Sequence, residues 1–114
     1  MGYVKMTEQR ASVNDEKSEK AWFHEEELSS PGNGAWILKP NGTSGMGVTL
    51  SISSGSGKVQ ATTDSIDKVI NDTAEGVDWD LGTVSGTVQD TAIQLTAVRQ
   101  VNISGTTTIK AVSQ

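Results

Sequence analysis

Apolar and polar residues alternate with period two over residues 47–53, where Val48, Leu50 and Ile52 share one face and Thr49, Ser51 and Ser53 the other. Successive side chains of a strand point to opposite sides of a sheet, so this segment is predicted to be a half-buried β-strand. Ser54-Gly55-Ser56-Gly57 follows, a glycine-rich stretch of hairpin-turn size, and residues 58–62 then place Val59 and Ala61 on the face that meets the preceding strand. Farther on, Val77, Trp79 and Leu81 alternate with Asp78 and Asp80, which predicts an inward-facing Trp79 at the centre of the core. Over residues 92–103, Ile93, Leu95, Ala97, Val101 and Ile103 keep one phase with Arg99 as the exception, marking either a sheet edge or a bulge that changes the register. Ser104-Gly105 turns the chain into a final strand over residues 106–112, with Ile109 and Ala111 on one face. A short apolar run, Ala35-Trp36-Ile37-Leu38, ends at Lys39-Pro40-Asn41-Gly42. Alternation breaks at Ile66, Val69 and Ile70, whose helical spacing predicts a turn or two of helix lying as a lid across an open core.

Residues 1–34 carry no strand pattern. Within them, residues 18–28 (SEKAWFHEEEL) predict a short helix, capped by Ser18 and built on Glu19 and Glu25 to Glu27. Its three glutamates near the C-terminal end oppose the helix dipole, so it is expected to order only when Trp22 or Phe23 docks onto another surface. Ser29-Ser30-Pro31-Gly32-Asn33-Gly34 is a breaker and sets the boundary between an N-terminal arm, residues 1–34, and a β-domain, residues 35–114. Six to eight short strands joined by Gly, Asn and Asp turns predict an all-β fold. The expected architecture is a small antiparallel β-sandwich or barrel, jelly-roll or Ig-like, with an extended N-terminal arm.

Composition sharpens this picture. The 114 residues include three Trp, one Tyr, one Phe and no Cys, so the core is thin and no disulfide supports it. Small cores leave a few kcal/mol of net stability, which favours a homo-oligomer or attachment to a larger body. Nine basic residues face fourteen acidic ones for a net charge of −5. Lys39, Lys58, Lys68, Arg99 and Lys110 fall singly, which argues against nucleic acid as a partner, since phosphate binding needs clustered cations. No segment reaches the roughly 20 apolar residues of a membrane span, and the first ten residues lack the apolar run of a secretion signal. Neither a membrane nor export is therefore expected, and synthesis is assigned to a cytoplasm.

Reactive groups are few. The only histidine, His24, sits among glutamates and is expected on a solvated helix surface. Asp78 and Asp80 point to one side of their predicted strand about 7 Å apart. That separation is compatible with paired glycosidase acids or with calcium binding joined by Asp64, Asp67 or Asp72. Solvent-facing acids that discourage edge pairing are the preferred reading. Gly55-Ser56-Gly57-Lys58 lacks the phosphate-loop spacing, with Val59 where that loop needs a hydroxyl. Asn41-Gly42-Thr43, Asn71-Asp72-Thr73 and Asn102-Ile103-Ser104 match the glycosylation pattern but read as turn and strand residues. No catalytic residue, cofactor or metal is expected, and the chain is read as a non-enzyme. The candidate interface residues are Trp22, Phe23, Trp36 and Arg99; Trp36 is either core or interface, and Trp22 is the strongest contact candidate.

The succession Val48-Thr49-Leu50, Gly57-Lys58-Val59-Gln60-Ala61-Thr62, Asp64-Ser65-Ile66-Asp67-Lys68-Val69, Val77-Asp78-Trp79-Asp80-Leu81-Gly82 and Thr96-Ala97-Val98-Arg99 resembles the small all-β virion structural proteins of tailed bacteriophages. The likeness covers most of the β-domain and none of residues 1–34. It is one of texture and carries no catalytic motif. It implies a virion component of the capsid decoration or cement type, or a small head-tail or tail component. Its expected partners are the major capsid protein or another virion protein and further copies of itself. A carbohydrate-binding or host-attachment module is the alternative.

Overall fold

The computed structural model describes residues 2–13, 17–92 and 94–114, with side chains described outside residues 9–20. Among these residues the elements run β1 (Tyr3–Lys5), β2 (Thr7–Val13), β3 (Lys17–Leu28), β4 (Gly32–Asn33), β5 (Trp36–Leu38), β6 (Met46–Thr62), α1 (Ile66–Ile70), β7 (Val77–Asp78), β8 (Val88–Ala92) and β9 (Ala97–Ser113). The fold is all-β, a single nearly closed, barrel-like sheet.

Two long strands generate it. β6 and β9, 17 residues each, pair antiparallel from Gly47 opposite Val112 to Thr62 opposite Ala97. The register slips between Ile52 and Ser54 and again between Ser56 and Gly57. Between the slips Gly55 faces Gly105, with φ of 78° and 73°. A Cβ on either glycine would run into the carbonyl of Ser104 or Ser54 on the facing strand, so side chains are excluded by both backbone conformation and space. Bulges bend a strand and increase its twist, and here both partners bend together. Each long strand therefore serves two half-sheets. In the first, β8, the start of β6, the end of β9, β3 and β2 lie side by side. In the second, β7, the end of β6 and the start of β9 continue into β4 and β5, with β1 parallel to β5. Between β1 and β2 the chain passes from the second half to the first at the buried Met6.

The halves pack on each other through alternate side chains. Val48, Leu50, Ile109 and Ala111 of the first join Ile37, Val59 and Val98 of the second in one cluster with Met6, Met46 and Leu95. The second half-sheet is covered on its other face too, where Trp36, Leu38 and Ala97 meet Val69 of α1. All three residues of β5 are consequently buried.

Past Val98 the inward phase of β9 carries amides, and Gln100, Asn102 and Thr107 are buried. Asn102 and Thr107 bound the gap that the bend leaves in the outer ladder, where Gly32 faces Asn102 and Leu28 faces Thr107, and Gln100 lies one inward position beyond Asn102. Gln100 Nε2 donates to the Glu26 carbonyl at 2.8 Å and to Glu26 Oε1 at 3.1 Å. Thr107 Oγ1 donates to Gln100 Oε1 at 2.7 Å. Asn102 Nδ2 donates to the carbonyls of Leu28 and Gly105 at 3.0 and 2.9 Å. Side chains thus supply donors to backbone carbonyls at the bend, and burial without such partners would be costly.

Several expectations are corrected. Residues 18–28 form part of strand β3 instead of a helix, because pairing with β9 and burial of Trp22 and Glu26 against it outweigh a weak helix propensity. The capping role expected of Ser18 falls on a side chain outside those described, as does the inward Ile93 on a residue outside them. Segments of residues 1–34 are strands of the common sheet, and Met6 enters the core with residues 35–114. Ser54 to Gly57 and Ser104-Gly105 are strand corners, because each glycine finds its partner on the other long strand. Alternation at residues 77–81 does not make an inward strand: β7 ends at Asp78, and the Gly82 N–H closes a turn on the Trp79 carbonyl at 2.9 Å. Val77 and Leu81 are 61% and 39% exposed, Trp79 is half-buried, and the largest fully buried side chain is Trp36. Arg99 and the exposed Ile103 share the outward phase of β9, opposite the inward Val98, Gln100 and Asn102, and the register shift beside Ile103 reverses the phase only for the residues that follow, so that Thr107, Ile109 and Ala111 turn inward. The helical spacing at 66–70 does form α1, capped by Ser65 Oγ accepting from the Lys68 N–H at 3.3 Å.

Gly105→Ala is expected to cost about 1–3 kcal/mol from positive φ alone, with the Ser54 collision adding to it. Gly42→Ala, with φ 80° but open space, should cost about 1 kcal/mol. Urea unfolding of both checks the order. Gln100→Leu should cost about 1–3 kcal/mol, because the Thr107 hydroxyl and Glu26 carbonyl lose their partner while buried. Equilibrium unfolding of that variant beside Thr107→Val reads this.

Candidate interface

The outward face of the second half-sheet carries a row of polar side chains across three strands. Lys58 Nζ and Gln60 Nε2, both on β6, donate to Asp78 Oδ2 and Oδ1 on β7 at 3.0 and 2.8 Å. Arg99 Nε on β9 donates to Gln60 Oε1 at 3.0 Å. The guanidinium carbon lies 4.3 Å from the centroid of Trp36 on β5, a cation–π stack that covers the indole. Trp36 is 1% exposed, which settles its two readings in favour of core within this chain, and Arg99 is its cover. Burial draws the Arg99 guanidinium below its ordinary range, with the Asp72 charge opposing that shift. The Gln60 and then the Lys58 hydrogen bonds hold the Asp78 carboxyl below the usual aspartate range.

The carboxylate pair expected on one strand is divided. Asp78 is engaged by Lys58 and Gln60, whereas Asp80 lies beyond the strand end and is exposed. Among the described residues no three His, Cys, Asp or Glu side chains gather to hold a metal. His24 sits half-buried on β3 opposite Ala111, and so does not lie on a helix surface.

Trp22 and Phe23 stand at the root of the β2–β3 hairpin on opposite faces. Trp22 packs against the core and lines a groove of about 450 Å³ with Lys5, Met6, Leu38, Ile66 and Ile70. Phe23 pairs with Val112 on the outward face, and the same cross-strand row continues through Gly47 to Thr91. Gly47 leaves a notch there: a Cβ would meet Val112 Cγ2 at 3.2 Å. Val112 is half-exposed, and a cavity of about 360 Å³ lies beside it along Gly47, Thr91 and Ala92. The next row inward is polar, with Glu25 opposite Lys110 and Lys110 opposite Thr49. An apolar row therefore sits at one end of a polar sheet face, next to the hairpin. Sequence reasoning found Trp22 and Phe23 as large rings in a polar segment. It missed Val112, which lies out of phase with Ile109 and Ala111 and so was legible as outward-facing.

Hairpin geometry adds a second feature. Among the described residues, β3 pairs with β9 from Trp22 onward, while residues 17–21 pair with β2 and with no other strand. No protein-family model matches this chain, and no curated protein matches it.

Because the carboxyl of Asp78 is more acidic folded than unfolded, its bonds stabilise the protein above the unfolded pKa, and that contribution is lost as pH falls through the folded one. Asp78→Asn should therefore be less stable than the parent at neutral pH, with the gap closing in acid. Thermal melts of the two across an acid series check it.

Proposed function

We propose that this chain is a non-enzymatic structural protein of a tailed-bacteriophage particle, which decorates and stabilises the capsid through repeated protein–protein contacts after synthesis in the host cytoplasm. The observation that carries the reading is the β2–β3 hairpin, whose residues 17–21 pair, among the described residues, with β2 and no other strand, joined at its root to Phe23 and Val112. A lone two-stranded ribbon is marginal in water and gains from a surface to lie on. The adjacent apolar row, with the Gly47 notch beside it, suits a side chain of a shell protein. Repetition over a lattice raises such modest contacts to stable occupancy without added chemistry. Support from the sequence is the resemblance of residues 47–112 to small virion proteins and a net charge of −5, which disfavours a genome-binding role.

The partner in this reading is the major capsid protein. Particles assembled with the Phe23→Ser, Val112→Ser double variant should retain at least roughly tenfold less protein than particles with the parent, equivalent to ~1.4 kcal/mol per contact or more. Quantitative mass spectrometry and cryo-electron microscopy of purified particles give the occupancy and its position, with melting curves confirming that the variant is folded. Unchanged occupancy would sink the assigned surface, and density confined to the tail would overturn the capsid assignment.

A further inference from the structure

Two exposed apolar surfaces of this chain complement each other in charge. The first is the groove of about 450 Å³ between the β1–β2 crossing, β5 and α1. Its floor is Met6, Leu38 and Trp22, and its rim includes Ile66 and Ile70, 50% and 43% exposed on successive turns of α1 while Val69 anchors the helix inward. The charged residues of its wall are Lys5 and Lys39, both positive on a chain of net charge −5. The Lys39 ammonium is fixed over the loop by the carbonyls of Pro40 and Thr43 at 3.3 and 3.0 Å.

The second surface is the segment of residues 75–81, β7 with the residues leading into it and the turn that follows. Val77 of β7 and Leu81 of the turn are exposed on it, and so are Glu75 and Asp80. This knob is rigidly seated: the Trp79 N–H donates to the Val59 carbonyl at 3.0 Å, and Trp79 packs on the core beneath. A knob held in shape before contact loses little freedom on docking.

We infer that the acidic knob of one copy docks in the lysine-rimmed groove of a second copy. Val77 and Leu81 then cover Ile66 and Ile70, and Asp80 approaches Lys5 and Lys39. A cavity of this size has room for two aliphatic side chains. Opposite local charges select this orientation between chains whose overall charges repel. Knob and groove are different patches, so the contact closes reciprocally as a two-fold dimer where both pairs can meet at once and otherwise repeats head-to-tail into a ring or chain. It uses neither Phe23 nor Val112 and does not rest on a role in a virion.

Sedimentation velocity of the full chain over a concentration series tests it. The parent should associate reversibly, less so as salt is raised. The groove variant Ile66→Ser, Ile70→Ser and the knob variant Val77→Ser, Leu81→Ser change exposed residues, and melting curves will show that they fold. Each should associate at least roughly tenfold more weakly than the parent. The groove variant retains an intact knob and the knob variant an intact groove, so an equimolar mixture should form a one-to-one dimer and nothing larger. Lys5→Glu should weaken association, and adding Asp80→Lys to it should restore it. A parent that stays monomeric at its solubility limit, association unchanged in both double variants, or a mixture that forms no dimer would each overturn the inference. Particle occupancy of the Phe23 and Val112 variant is read separately, so failure of either proposal is distinguishable from failure of the other.

Discussion

The pairing of Gly55 with Gly105 is the constraint on which the rest of the structure depends. Two unbent strands of 17 residues would make a long twisted ribbon with no second layer to bury its apolar face. Both contain a glycine at positive φ at the same point of the ladder, so they bend together and the ladder continues on either side. Folding one sheet onto itself is what gives a chain this poor in aromatics a closed core. Val48 and Leu50 then share a cluster with Val59 and Val98, which lie beyond the bend along the same pair of strands. The bend leaves its own residue of unsatisfied backbone on the side facing β3. Gln100 and Asn102 replace the missing ladder there with side-chain amides, which is why two polar residues occupy inward positions that alternation reserves for apolar ones.

How far the sequence discloses this is set by which signals are local. Alternation at 47–53 and 58–62 is a property of adjacent residues, and both segments are indeed strand. The bend between them is not local. Ser54 to Gly57 satisfies the composition of a hairpin turn, and only the partner at Gly105 distinguishes a turn that reverses the chain from a corner that lets it continue. Residues 18–28 are a similar case. Glutamates favour helix by a few tenths of a kcal/mol each, whereas a vacant ladder on β9 offers seven successive partners from Trp22 to Leu28. Propensity loses to a neighbour that comes from the far end of the chain.

Val77 to Leu81 shows the opposite error, a local signal that is too strong. Five alternating residues read as an inward strand, yet the segment leaves the sheet after Asp78 because Gly82, with φ 64°, allows a turn to close at Trp79. Val77 and Leu81 are left outside. They are the side chains that the inferred contact with a second copy would cover.

The same reasoning applies at the hairpin root. Trp22 and Phe23 are adjacent, so a strand sends them to opposite faces, whereas a helix would have held them on neighbouring parts of one edge. The change from helix to strand therefore alters the functional picture as well as the fold. One ring enters the groove floor and the other joins Val112 on the outer sheet. Because the backbone between them is a single peptide unit within a ladder paired on both sides, the two rings are held on opposite faces at one level of the sheet. The groove and the outer row, the two surfaces to which contacts are assigned, thus meet at one short stretch of β3, and it is the strand geometry of residues 22 and 23 that separates them.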